Sequence, residues 1–163
     1  LRLKRNGWWG NAAVGLSYEG LAWVTGAAVM IGGVLPDWRI LALAGLYSLG
    51  AHGIMTLNDF KAIEGDRRMG IRSLPVQLGV RGAAWVACAV MALPQMTVVW
   101  LLFDWGRPLH GAAVALVLAV QVALMVRFLA DPLGRATWYS ALGVSVYVTG
   151  MMVSAFALGG MPA

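Results

Sequence analysis

The chain has 163 residues, 60% of them hydrophobic and only 12% charged, with a formal net charge of +5. Soluble domains carry about 25% charged residues, and a short chain leaves much of its surface exposed, so a water-soluble globular domain is excluded. The same apolar content excludes disorder, and one cysteine with two histidines rules out a disulfide framework and argues against a multi-histidine metal site. A polytopic membrane protein remains.

A membrane-crossing helix needs about 20 mostly apolar residues. Five stretches qualify, at 12–35, 38–57, 83–103, 109–130 and 137–160. They are rich in Leu, Val, Ala and Gly and lack the alternation of barrel strands, so the expected class is all-α. The expected architecture is one polytopic helical bundle over residues 1–163, with about five transmembrane helices and a cytoplasmic loop at 58–82. No signal peptide is expected, since the basic start runs into a full-length span with no small-residue cleavage site.

Orientation follows the twelve basic residues. Arg2, Lys4 and Arg5 precede the first span, Lys61, Arg67, Arg68, Arg72 and Arg81 follow the second, and Arg127 and Arg135 flank the fourth connection. Only Arg39 and Arg107 fall on the other side, a split of ten to two. The positive-inside rule places the N-terminus and the 58–82 loop in the cytoplasm. Trp8, Trp9, Trp38, Trp105 and Trp138 fall at span ends, as an aromatic belt requires. The net charge is thus a topology signal, and nucleic acid is excluded as a partner because no soluble reading element carries those charges.

Most of the 21 glycines are accounted for by close helix packing, and Pro94 is expected to kink the third span. Residues 58–72 are different. They hold Asp59, Glu64 and Asp66, three of seven acids, and Lys61, Arg67, Arg68 and Arg72, four of twelve bases. If the second helix continues through this segment, Asp59 and Asp66 share a face, roughly 10 Å apart along the axis. That is too far to chelate one ion together, but it suits separate Mg²⁺ ions bridged by a diphosphate, with Lys61, Arg67 and Arg72 offsetting the remaining charge. On charge pattern alone, a solvated juxtamembrane loop with weakly paired acids and bases is the favoured reading.

The wording of the segment adds to the spacing. Asn58-Asp59-x6-Asp66-Arg67-x2-Gly70-x2-Ser73-Leu74-Pro75-Val76-x2-Gly79 resembles the second aspartate-rich motif of the UbiA superfamily of intramembrane prenyltransferases. More narrowly, NDFKAIEGDRRMGIRSLPVQLG looks like the chlorophyll synthase and bacteriochlorophyll synthase branch, closest to the bacteriochlorophyll form. Leu3-Lys4-Arg5-Asn6-Gly7-Trp8-Trp9-Gly10-Asn11 before the first span and Asp131-Pro132 after the fourth agree with it. The resemblance covers the whole chain.

The resemblance implies an enzyme that transfers a polyprenyl group, phytyl or geranylgeranyl, from its diphosphate to the propionate of bacteriochlorophyllide. It implies the C-terminal part of a nine-helix bundle, Mg²⁺ as cofactor, Asp59 and Asp66 as catalytic carboxylates, and Asn58, Asp59 and Asp66 as the metal-binding set. Lys4, Lys61, Arg67 and Arg72 would contact diphosphate. Many relatives have a further aspartate where this chain has Ala62, so their metal geometry need not transfer in full. By resemblance the chain begins in the loop after the fourth helix, without the first aspartate motif. The expectation is therefore a truncated or partly represented enzyme, inactive alone and partnered by its missing N-terminal half. The expected setting is the intracytoplasmic inner membrane of a photosynthetic bacterium, active side cytoplasmic. Other pigment-biosynthesis or photosynthetic membrane proteins are further expected partners.

Two polar residues inside the spans carry open readings. Glu19, about two turns into the first span, either lines the acceptor cavity or is a hydrogen-bonded structural acid. His52, seven residues before Asp59, either meets the acceptor, including a chlorin magnesium, or is a hydrogen-bonded core histidine. Gln121 and Arg127 read as packing and snorkelling residues, and Cys88, Met151 and Met152 as apolar fillers. Two other functions stay open, prenylation of a quinone precursor or haem by a related enzyme, and a non-catalytic pigment- or lipid-binding membrane subunit.

Overall fold

The computed structural model describes residues 3–159, apart from the side chain of Lys4. A short 3-10 turn (Leu3–Arg5) leads into α1 (Gly7–Gly15), which passes through one π-helical turn (Leu16–Gly20) into α2 (Leu21–Met30). Then come α3 (Trp38–Asp59), the short α4 (Ile63–Arg68), α5 (Leu74–Asp104), α6 (Pro108–Ala130) and α7 (Pro132–Leu158). Among the described residues there is no strand beyond one isolated bridge. The helices α3, α5, α6 and α7 are each long and apolar enough to cross a membrane. The first expected span is helical from Gly7 to Met30 but is broken by the π turn, so it is not a single regular helix.

Local chemistry sets the helix ends. Asn6 caps α1 by accepting from the Trp8 backbone N–H at 3.0 Å, and Asp37 caps α3 by accepting from Arg39 N–H at 2.9 Å. Asp131 does the same for α7, accepting from Gly134 N–H at 3.1 Å. Such caps satisfy donors that have no partner within the helix. Prolines open α5, α6 and α7, where their missing N–H costs nothing. The third span starts earlier than expected, at Leu74 rather than 83, and its break lies at Gly79 (φ 72°, ψ 167°). That left-handed conformation is one that glycine adopts without the steric cost other residues incur. Pro94 stays within the helix. The expected fifth span begins earlier too, at Pro132, and Gly160 at its expected end lies outside the described residues.

Helix α3 is the centre of the bundle, packing against α1, α2, α5 and α7, while α5, α6 and α7 pack on one another. Leu43, Tyr47, Leu57, Met91, Val98 and Phe128 are fully buried among them. Lipid supplies no hydrophobic drive for such association, so close backbone approach matters. At Gly53 a Cβ would stand 2.6 Å from the Ala87 carbonyl oxygen of α5. The π turn forms where Gly15 and Gly20 bracket Ser48 of α3. A Cβ on Gly15 would lie 2.6 Å from the Ser48 carbonyl oxygen, and one on Gly20 2.5 Å from its hydroxyl.

Rings mark the two ends of the bundle. Trp38 meets Trp105 edge-on at 5.5 Å at one end. At the other, Phe60 meets Phe128 at 5.8 Å, and Phe128 stacks on Tyr139 at 4.9 Å. The second end therefore gathers the close of α3, α4, the start of α5, the α6–α7 connection and the N-terminal segment. Leu109, Met30 and Phe156 project outward from the bundle, as lipid-facing side chains do.

Candidate active site

Helix α3 does not continue through residues 60–66 as one straight helix. It stops at Asp59, the chain turns through Phe60, Lys61 and Ala62, and α4 resumes at Ile63. The backbone N–H groups of Phe60, Lys61 and Ala62 bond to carbonyls three residues back, and helical dihedrals are lost at Ala62 (φ −115°, ψ 5°), while the buried Phe60 ring packs against Phe128. The two-turn spacing expected of Asp59 and Asp66 on one helix face is thus replaced by two carboxylates from separate helices.

Both carboxylates nevertheless line one cleft of ≈ 480 Å³. Its walls include Asn6, Gly7 and Asn11 from the N-terminal segment and α1, Ser17 and Tyr18 from the π turn, and Ile71 and Ser73 from the connection into α5. Asp66 is only 7% exposed, and its carboxylate has no hydrogen-bond or ion-pair partner among the described residues. Asp59 is held from across the cleft. Asn11 Nδ2 donates to Asp59 Oδ2 at 3.1 Å and lies 3.3 Å from Thr56 Oγ1. Thr56 in turn donates to the His52 carbonyl at 2.9 Å.

A backbone clamp closes the cleft's edge. Gly7 N–H donates to the Arg72 carbonyl at 2.8 Å and Arg72 N–H to the Arg5 carbonyl at 3.0 Å, forming a parallel bridge between Asn6 and Arg72. Gln77 Nε2 donates to the same Arg72 carbonyl. The approach requires glycine at position 7, where a Cβ would stand 2.7 Å from Leu74 N and 2.9 Å from Ser73 Cα.

The other candidate residues distribute unevenly. Asn58 is exposed and does not line the cleft. Lys61, Arg67 and Arg72 are exposed around this end of the bundle, and their side chains are not among the cleft walls. The Lys4 side chain lies outside the described residues. Glu19 sits half-buried in the π turn, next to Tyr18 of the cleft but not itself a lining residue. His52 is buried, its Nε2 3.2 Å from the Trp8 carbonyl oxygen and its ring 5.7 Å from the Trp8 ring, and it does not line the cleft. Asn11 was legible only as part of the stretch before the first span. Its contact with Asp59 comes from tertiary approach, which spacing along the chain does not reveal.

No group of three or more metal-ligating side chains (His, Cys, Asp or Glu) clusters among the described residues. The cleft instead offers two hard carboxylates with open space between its walls. That donor set fits Mg²⁺, which uses one or two carboxylates and takes its remaining ligands from water and substrate phosphates.

The described residues thus form an apolar helical bundle of membrane-length helices, with Asp59 and Asp66 lining one cleft at one end. Residues 1–146 match the UbiA prenyltransferase family, and the chain belongs to it. Over 99% of its length it is 54% identical to the bacteriochlorophyll synthase 33 kDa chain of Cereibacter sphaeroides, covering 53% of that protein. It is 47% identical to the bacteriochlorophyll synthase 34 kDa chain of Chloroflexus aurantiacus, over 97% of this chain and 50% of the relative. Against the chloroplastic chlorophyll synthase of Oryza sativa it is 40% identical, over 96% of this chain and 41% of the relative. The chain thus spans about half the length of the bacterial relatives it matches. No solved structure gives a significant match.

Proposed function

We propose that these residues form part of the active site of a Mg²⁺-dependent prenyltransferase. It moves a phytyl or geranylgeranyl group from its diphosphate to the propionate of bacteriochlorophyllide, at the cytoplasmic face of the inner, intracytoplasmic membrane of a photosynthetic bacterium. The chlorin acceptor rests on the names of the relatives, which are bacteriochlorophyll and chlorophyll synthases. The carrying observation is that Asp59 and Asp66, on separate helices, face one cleft at the end of an apolar bundle.

Asp59 and Asp66 would hold Mg²⁺, which when bound supplies positive charge to the leaving diphosphate. Asn11 keeps Asp59 turned toward the cleft through its N–H donation. Lys61, Arg67 and Arg72, exposed at the same end, add positive charge around the diphosphate. The acceptor propionate is already ionised at neutral pH and attacks C1 of the allylic chain. The C1–O bond to diphosphate breaks first, diphosphate leaving with the electron pair, and a carboxylate oxygen then closes the new C–O ester bond on the allylic cation. No strong general base is needed. The apolar bundle keeps water from the allylic cation.

The test is esterification in membranes containing an active protein that carries these residues, supplied with bacteriochlorophyllide and geranylgeranyl diphosphate. Chelation with EDTA is expected to stop ester formation and added Mg²⁺ to restore it. Undiminished turnover in EDTA would overturn the metal assignment, and failure to esterify the chlorin under any metal condition would overturn the acceptor.

A further inference from the structure

At the same end of the bundle, beyond the Phe60–Phe128–Tyr139 ring series, Arg127, Arg135 and Trp138 surround a separate open notch of ≈ 520 Å³. It lies at the connection between α6 and α7, where two apolar membrane-length helices end. Arg135 Nη1 donates to the Arg127 carbonyl at 2.8 Å, in the last turn of α6. That bond anchors the Arg135 guanidinium at the last turn of α6, and neither arginine makes an ion pair among the described residues. The acid between them in sequence, Asp131, accepts from Gly134 N–H as the cap of α7 and does not line the notch. Two cationic side chains, one of them anchored, therefore line one open space without a counter-ion among the described residues.

The surroundings identify the kind of anion. Val126 and Leu133 are exposed apolar neighbours in sequence of the two arginines, and the half-buried Trp138 indole is a side chain suited to the headgroup level of a bilayer. Guanidinium pairs bind phosphate through parallel N–H donors, and basic pockets at span ends attract anionic headgroups. We propose that Arg127, Arg135 and Trp138 form a binding site for the phosphodiester headgroup of an anionic phospholipid. The site is distinct from the carboxylate cleft and does not depend on the prenyltransferase reading.

Native mass spectrometry of the full chain in detergent, titrated with dioleoyl-phosphatidylglycerol, dioleoyl-phosphatidylcholine or inorganic phosphate, tests it. Phosphatidylglycerol adducts are expected on the wild type and to fall at least about fivefold in R127Q/R135Q. The charge-matched variant R81Q/R107Q is expected to keep them, which separates the notch from net charge, and thermal unfolding of both variants in detergent monitors folding. Millimolar phosphate is expected not to displace the lipid. Equal phosphatidylglycerol binding by wild type and R127Q/R135Q would overturn the site. Equal retention of phosphatidylcholine, or displacement of lipid by free phosphate, would overturn the lipid assignment. Should R127Q/R135Q fail to fold, R127K/R135K keeps the charge but loses the planar fork, and undiminished phosphatidylglycerol binding by that variant would refute the guanidinium role.

Discussion

Asn11 on the first helix donates from Nδ2 to Asp59 Oδ2 at the end of α3, over 3.1 Å. The contact ties the opposite walls of the cleft through one of its two carboxylates. It leaves Asp66, nearly buried and without a partner among the described residues, as the second carboxylate facing the same space.

That difference makes Asp66 the sharper test of the site. In an active protein containing these residues, Asp66→Asn is expected to lower esterification about 100-fold or more. Membrane insertion, read by fractionation, should be unaffected. A loss smaller than about threefold would remove Asp66 from the chemistry.

Asn11→Ala removes the donor without touching either carboxylate. Groups that orient a metal ligand typically cost 10- to 100-fold in metal affinity when lost. The Mg²⁺ concentration giving half-maximal rate is therefore expected to rise by about 10-fold, with the rate at saturating Mg²⁺ little changed. An unchanged Mg²⁺ titration would mean that Asn11 only packs the cleft wall.

Gly7→Ala places a methyl 2.7 Å from Leu74 N and 2.9 Å from Ser73 Cα. Both are backbone atoms that cannot swing away, so the clamp must open. The expected cost is about 1–3 kcal/mol, seen as a lower unfolding temperature in detergent. Gly26→Ala is the comparison, since nothing lies within 4 Å of that added atom inside α2, and its melting point is expected to hold or rise slightly because Ala favours a helix over Gly. Equal melting of both variants would argue that the clamp contributes nothing to stability.

The 163 residues supply one carboxylate pair and cover about half of each bacterial relative. Purified alone with Mg²⁺, bacteriochlorophyllide and geranylgeranyl diphosphate, they are expected to form no ester. Co-expression with the part of the Cereibacter sphaeroides protein that they do not cover is expected to restore turnover. Ester formation by the 163 residues alone would refute the need for a second set of residues.

Much of the bundle was legible because lipid-spanning helices announce themselves by apolar length. The expected spans 38–57 and 109–130 fall within one or two residues of α3 and α6, bounded by the Asp37 cap and Pro108. The first helix starts at Gly7, five residues before the expected span, since Trp8, Trp9, Gly10 and Asn11 do not read as an apolar run although Asn6 caps a helix there. The π turn left no signal, because it answers to Ser48 on a different helix. The same distinction governs the site. Asp59 and Asp66 stand out through motif wording, whereas the break between them lies at Ala62 (φ −115°, ψ 5°), which the charge pattern does not signal. Asn11 becomes a cleft residue only when two distant helices pack together.

The bridge between Asn6 and Arg72 also constrains how the protein threads the bilayer. The segment before the first helix and the segment before α5 exchange backbone hydrogen bonds, so both must emerge on one side of the membrane. The hairpin between them must then cross and return. This parity is independent of any count of positive charges, and an inserted chain that left residues 5–7 on the opposite side would have no way to form the edge of its own cleft.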